Sequence, residues 1–198
     1  HRPLFGDVQV VGTTLMLTQD RKGGTDQATA YDLADGAERW SVDLPSIGRA
    51  RVQPAGGEAV LVSGTGEAGA SHHNVFALDL ADGAQLWRAK AAQATSLLVD
   101  AKPRVLLSRT RAVELVDGST GKVLHRADPV PGVGLAGLAG GAYYDGQGDE
   151  VLARALPGLR VVWQAAVAEG EQLAGVVPRG FVTDKLGEGS GELVGYTG

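Results

Sequence analysis

The chain has no cysteine among its 198 residues. Disulfides, thiolate metal sites and cysteine nucleophiles are therefore excluded outright. Aromatic residues supply only 5% of the sequence, so a core has to be assembled mainly from Val, Leu and Ala. No apolar stretch approaches the roughly 20 residues of a membrane span. The leading His1-Arg2-Pro3-Leu4-Phe5 lacks the build of a signal peptide, and the absence of an initial Met suggests an excised domain with a signal or anchor upstream. Clusters of one charge sign are missing too: 18 Lys and Arg are interspersed with 23 Asp and Glu, for a net charge of −5. Phosphate binding needs a cationic stripe, so nucleic acid is not an expected partner. Alanine and arginine dominate over isoleucine and lysine, a bias shared with high-GC bacterial genomes.

Against these absences stand 30 glycines and three tryptophans. Ala30-Tyr31-Asp32-Leu33-Ala34-Asp35-Gly36-Ala37-Glu38-Arg39-Trp40 returns 47 residues later as Ala77-Leu78-Asp79-Leu80-Ala81-Asp82-Gly83-Ala84-Gln85-Leu86-Trp87. A third copy, Val116 to His125, keeps Asp117 and Gly121 and puts His125 where tryptophan stood. A fourth, Ala155 to Trp163, keeps the tryptophan and loses the aspartate. A fifth begins at Phe181 and runs through Glu192 to Tyr196 without reaching an Asp…Gly…Trp segment. Self-similarity at this period marks a repeat architecture in which each unit buries its faces against its neighbours.

Each copy has one grammar. An apolar run leads (Thr14 to Leu17, Ala59 to Val62, Val105 to Leu107, Val151 to Leu152). A second run, a tight turn and an amphipathic run ending in the aromatic follow. Short runs bounded by Gly, Asp and Ser read as strands, so the chain is all-β. The turn has a mechanism: Asp accepts from the amides just beyond it, and Gly adopts the positive φ that closes it. The tryptophan then lies between adjacent sheets. Val8 to Val11 is an N-terminal strand that could pair with Glu192 to Tyr196 and close a five-unit ring. A β-sandwich is the alternative architecture, but it has no need of tryptophan at a fixed repeat phase.

The phrase resembles the repeat of the PQQ-like (quinoprotein-type) β-propeller family, Ala-x-Asp-x-x-Thr-Gly-x-x-x-Trp. Asp32/Gly36/Trp40 and Asp79/Gly83/Trp87 match it with Asp in place of Thr, and Asp117/Ser119/Thr120/Gly121 matches the turn in full. The resemblance implies a propeller of about four to five blades, a partial one, forming a single domain over residues 1–198. Catalytic members hold PQQ in the funnel of an eight-bladed ring with calcium or a lanthanide, an Asp base, a stacking Trp and often a vicinal disulfide. Here a disulfide is impossible, the tryptophans sit in the docking phase, and the blades are too few for that funnel. The resemblance therefore implies the fold without the dehydrogenase activity, and no cofactor is expected. It is similar also to non-catalytic relatives: outer-membrane assembly lipoproteins and extracytoplasmic sensor domains of bacterial kinases.

Other candidate chemistry is thin. His72-His73, with Glu67, lies in a Gly-rich loop. Adjacent strand residues point to opposite sides, so the pair is read as a contact loop and not as metal ligands. His125 is expected to be a partly buried structural imidazole. Asp145 to Glu150 resembles a calcium loop but lacks its spacing, and a hairpin between Gly141–Tyr144 and Val151–Ala153 explains it. Gly121-Lys122-Val123 lacks the Ser or Thr of a phosphate loop. No serine has the setting of a nucleophile, and a carboxylate pair is the remaining enzymatic alternative.

The expected function is a non-enzymatic, extracytoplasmic binding or scaffold module of the cell envelope with a protein or peptide partner. A ligand-sensing domain of a receptor kinase and the remnant of a PQQ-dependent dehydrogenase are the alternatives. The expected contact loops are Asp20 to Gln27, Gly64 to His73, Pro129 to Gly141 and Gly187 to Gly191. A missing anchor would hold the module near a membrane, and an open propeller edge would be covered by a homodimer.

Overall fold

A computed structural model of the protein describes residues 4–20, 25–45, 50–56, 58–64, 73–91, 93–99, 102–109, 111–128, 136–139, 141–147, 150–167, 171–177, 180–185 and 192–197. These residues form only antiparallel sheets. The first holds β1 (Leu4–Val11), β2 (Thr14–Asp20), β3 (Thr25–Asp32) and β4 (Glu38–Pro45). The second holds β5 (Ala50–Gly56), β6 (Ala59–Gly64), β7 (His73–Asp79) and β8 (Gln85–Ala91). The third holds β9 (Gln93–Val99), β10 (Lys102–Arg109), β11 (Ala112–Asp117) and β12 (Val123–Ala127). The fourth holds β13 (Ala136–Ala139), β14 (Ala142–Gln147), β15 (Glu150–Ala155) and β16 (Arg160–Ala166). The fifth has three strands, β17 (Glu171–Val177), β18 (Gly180–Lys185) and β19 (Glu192–Thr197). Strands are neighbours in sequence order within every sheet, an up-and-down meander. Among the described residues no helix is long and apolar enough to cross a membrane.

Two readings of the sequence change here. The apolar run expected to lead each of the first three units is its second strand, and in the fourth Val151 to Leu152 lies in the third strand, β15. A further strand opens every sheet: β1, β5, β9, β13 or β17. Val8 to Val11 is part of the first of these and bonds to β2, with Val8 opposite Leu17 and Val11 opposite Thr14. Its expected partner, Glu192 to Tyr196, is β19 and bonds to β18. The expected hairpin around Asp145 is present, with β14 and β15 paired from Ala142↔Ala155 to Gln147↔Glu150.

The chain divides into two compact units, His1–Leu124 and His125–Gly198. In the first unit β1, β5 and β9 are successive neighbours. Side chains stitch these strands together: Val52 N donates to the Asp7 carboxylate at 2.8 Å, and Gln53 Nε2 donates to Ala94 O at 3.1 Å. One core lies between the first and second sheets, where Met16, Ala28, Ala30 and Trp40 meet Val52, Val60, Val62, Phe76 and Leu78. Another lies between the second and third, where Leu61, Val75, Ala77 and Trp87 meet Val105, Leu107 and Val116. Strand alternation sends successive residues of β6 into different cores: Val60 and Val62 to one, Leu61 to the other. The run Ala59-Val60-Leu61-Val62-Ser63 is buried throughout for this reason, as an interior strand covered on both faces must be. In the second unit Tyr144, Val151, Ala153 and Phe181 form the core, with Trp163 packed against it.

Candidate functional site

The repeated turn is the best-defined local feature. In the first sheet Asp32 Oδ1 accepts from Ala34 N at 2.8 Å, and Gly36 N donates to Asp32 O at 2.9 Å. The second sheet repeats this through Asp79, Ala81 and Gly83 at 2.8 and 2.9 Å. In the third, Asp117 Oδ1 accepts from the amides of Ser119 and Thr120 and from both of their hydroxyls. Asp35 and Asp82, where the family pattern has Thr, accept from Ala37 N at 2.9 Å and Ala84 N at 2.8 Å. Thr120 takes the same part for Lys122 N at 3.4 Å, so carboxylate and hydroxyl are interchangeable acceptors at this position.

Arginines complete two of the turns. Arg39 donates to Asp32 Oδ2 through Nη2 at 2.5 Å and to Thr14 Oγ1 through Nη1 at 2.8 Å. Arg104, from β10, reaches Asp117 Oδ2 at 2.7 Å. The Arg39 hydrogen bond, with help from Ala34 N, lowers the Asp32 carboxyl below its ordinary value. The Ser119 hydroxyl, followed by the Thr120 donors, lowers Asp117 from 3.8 to about 2 against the opposing effect of burial.

The turns receive the tryptophans. Trp40 Nε1 donates to Leu80 O at 2.9 Å, and Trp87 Nε1 donates to Gly118 O at 2.7 Å. Leu80 and Gly118 are both the residue after a turn aspartate. The indole rings lie over the turn glycines so closely that a Cβ at Gly83 would stand 2.7 Å from Trp40 Cε3, and one at Gly121 2.7 Å from Trp87 Cγ. Glycine is thus required there twice, for a φ of +76° or +68° and for the room an indole occupies. Trp163 takes a comparable place in the second unit, its ring centroid 5.4 Å from Phe181 and 6.5 Å from Tyr144.

The remaining predicted residues are scattered. His125 is exposed on β12, contrary to the partly buried imidazole expected. All of β12 from Val123 to Arg126 is exposed. Glu67 and His72 lie outside the described residues, and His73 opens β7 with its backbone paired to Ala91. Two expected loops are shorter than read. Thr25 to Gln27 belongs to β3, and Ala136 to Ala139 forms β13. Gly187 to Gly191 lies outside the described residues. Among the described residues no three His, Asp or Glu side chains converge to hold a metal ion. The buried carboxylate of Glu114 is met by Arg109 Nε at 2.8 Å.

Sequence reading missed two features. Leu159 occupies the fourth turn's glycine position at φ +56°, donating to Ala155 O at 2.8 Å as the glycines do, while its own carbonyl accepts from the buried Arg154. The outer strands also carry a bulge one residue before each tryptophan, at Arg39, Leu86 and Val162. Leu86 is 40% and Val162 49% exposed there. Periodicity holds no signal for a bulge, but the apolar residue beside each later tryptophan was open to notice.

Meandering four-stranded sheets, docked by tryptophan onto an Asp…Gly turn, define a propeller of the PQQ-like class. The chain belongs to the family described as outer membrane protein assembly factor BamB, whose model matches residues 24–179. BamB from Moraxella catarrhalis is similar in structure at a TM-score of 0.69 and 18% identity, over 98% of this chain and 59% of that one. A europium-containing methanol dehydrogenase matches at 0.57 and 14%, over 94% and 48%. The quinohemoprotein alcohol dehydrogenase from Comamonas testosteroni matches at 0.57 and 12%, over 96% and 50%. Such identities speak for the fold alone. The chain spans between about half and three fifths of these structures' length and is a partial propeller. No curated protein sequence matches it.

Proposed function

We propose that the chain is a non-enzymatic binding or scaffold module of the cell envelope, contacting protein or peptide partners through its loops and outer strands. The observation that carries this reading is its membership, over residues 24–179, of the family described as an outer membrane protein assembly factor. Residue chemistry supports it. The side chains best suited to stacking on a quinone, Trp40 and Trp87, have their ring faces and N–H groups committed to neighbouring turns. The outer strands β8, β12 and β16 are edge strands that present Leu86, Leu124, Val161 and Val162 to solvent. Such an edge offers backbone groups together with apolar side chains, the combination an extended peptide uses when it adds to a sheet.

The test is fluorescence anisotropy with a labelled peptide of alternating aromatic and polar residues, the pattern of an outer-membrane β-strand. Leu86→Lys combined with Val162→Lys is expected to weaken binding about tenfold, a change on the order of 1.4 kcal/mol. Replacing residues 65–70 by a Gly-Ser segment is expected to leave affinity within about twofold, under 0.5 kcal/mol. Absence of binding by the folded wild-type protein, or loss only with the loop replacement, contradicts the outer-strand reading.

A further inference from the structure

Among the outer strands β4, β8, β12 and β16, only β8 sets two cations on one side of its free edge. Trp87 and Ala91 point into the core shared with the third sheet, and Ala89 packs against it. Strand alternation therefore turns Arg88 and Lys90 to the other side, where both are exposed. Register places them opposite Phe76 and Asn74 of β7. Arg88 lies along its own sheet: its Cζ stands 5.2 Å from the centroid of the Phe76 ring, and Nη2 donates to Asn74 Oδ1 at 2.7 Å. Arg39, Arg104 and Arg109 are each met by a carboxylate, on Asp32, Asp117 and Glu114. Arg88 and Lys90 meet none among the described residues. The other outer strands fill the same two places differently. Counted from the tryptophan, they hold Ser41 and Asp43 on β4, and Gln164 and Ala166 on β16. Counted from His125, they hold Arg126 and Asp128.

We infer that β8 is the selective edge of this chain, and that it takes an extended peptide with carboxylates at alternate positions. The inference rests on the reading of the outer strands as peptide-binding edges, and adds which strand binds and what chemistry it chooses. A strand added to β8 sets its residues directly opposite those of β8, and its residues two apart share a side. Its acidic side chains then meet Arg88 and Lys90 across the new ladder, where opposite charges attract. Phe76 and Asn74 hold the guanidinium before a partner arrives, so little side-chain freedom is lost in forming the pair. A second β8 does not fit this edge. Two such strands side by side bring like charges together, the device by which edge cations keep sheets from joining.

The probes are three labelled peptides of the alternating aromatic and polar pattern, with polar positions all Glu, all Gln or all Lys. Each is titrated with the 198-residue protein at low salt and followed by fluorescence anisotropy. The Glu peptide is expected to bind about tenfold more tightly than the Gln peptide, and the Lys peptide more weakly than either. Arg88→Gln combined with Lys90→Gln is expected to bring the Glu peptide down to the affinity of the Gln peptide and to leave the Gln peptide unchanged. Lys90→Glu, at an exposed position, is expected to narrow the Glu preference by itself and serves should the double variant fail to fold. Lys122→Gln combined with Arg126→Gln, beside and on β12, is expected to keep the preference. Equal binding of the Glu and Gln peptides by the wild-type protein overturns the inference while the outer-strand reading stands. So does a Glu preference that survives in the β8 variants or disappears in the β12 variant. Binding of none of the three peptides overturns both.

Discussion

The glycine of the turn separates backbone demand from packing demand. Gly36 and Gly83 share the same positive φ, +74° and +76°, but only Gly83 has an indole against it. Alanine at either position meets the left-handed penalty of about 1–2 kcal/mol. Gly83→Ala is expected to lose about 1–3 kcal/mol more, because Trp40 has to be displaced. Urea midpoints of the two variants measure the difference, and equal midpoints would remove the indole from the account. Trp40→Phe keeps an aromatic ring but leaves the Leu80 carbonyl without its donor, for an expected loss of about 1–2 kcal/mol. Asp117 adds a pH signature. Its folded-state value of about 2 lies below the ordinary 3.8, so its bonds stabilise fully above about pH 4 and fade as pH falls toward 2. Asp117→Asn is expected to cost about 1 kcal/mol at pH 6, and thermal unfolding should show that gap closing between pH 4 and pH 2.

Among the elements, those with chemical anchors were legible in the sequence. Asp…Gly marked the hairpin between third and fourth strands because the side chain and the φ requirement leave residue types behind. The apolar run Ala59 to Val62 marked an interior strand because both its faces are covered. The first strands of the later sheets left no such trace. Ala50 to Gly56 contains Pro54, and Ala136 to Ala139 reads Ala-Gly-Leu-Ala, with neither alternation nor a flanking turn motif. What holds the β1–β5 pair is a contact between sheets, Val52 N on the Asp7 carboxylate, which no local pattern encodes. Asp7→Ala is accordingly expected to cost about 1–2 kcal/mol and to speed exchange of the Val52 amide. Unchanged exchange there would show that the bond contributes nothing to joining these strands. The bulges at Arg39, Leu86 and Val162 were hidden for a related reason: they are departures from register, and register is set between strands.

For the whole molecule, the repeat phase foretold the class of fold and the placing of the tryptophans, while the site had to be built from three-dimensional neighbours. The acceptors Leu80 and Gly118 are backbone carbonyls, so their role leaves no preferred side chain to read. His125 shows the opposite failure. Its position in the phrase suggested an indole substitute, whereas the strand that carries it is exposed. Trp40 and Trp87 join neighbouring sheets, and the proposed function takes them to have no part in holding a quinone. Thermal unfolding in the presence of PQQ and calcium shows whether the indoles are free to meet a quinone. An unchanged midpoint and unchanged tryptophan fluorescence are expected at millimolar PQQ, and a saturable rise of several degrees with quenching of the indoles would place a quinone against them.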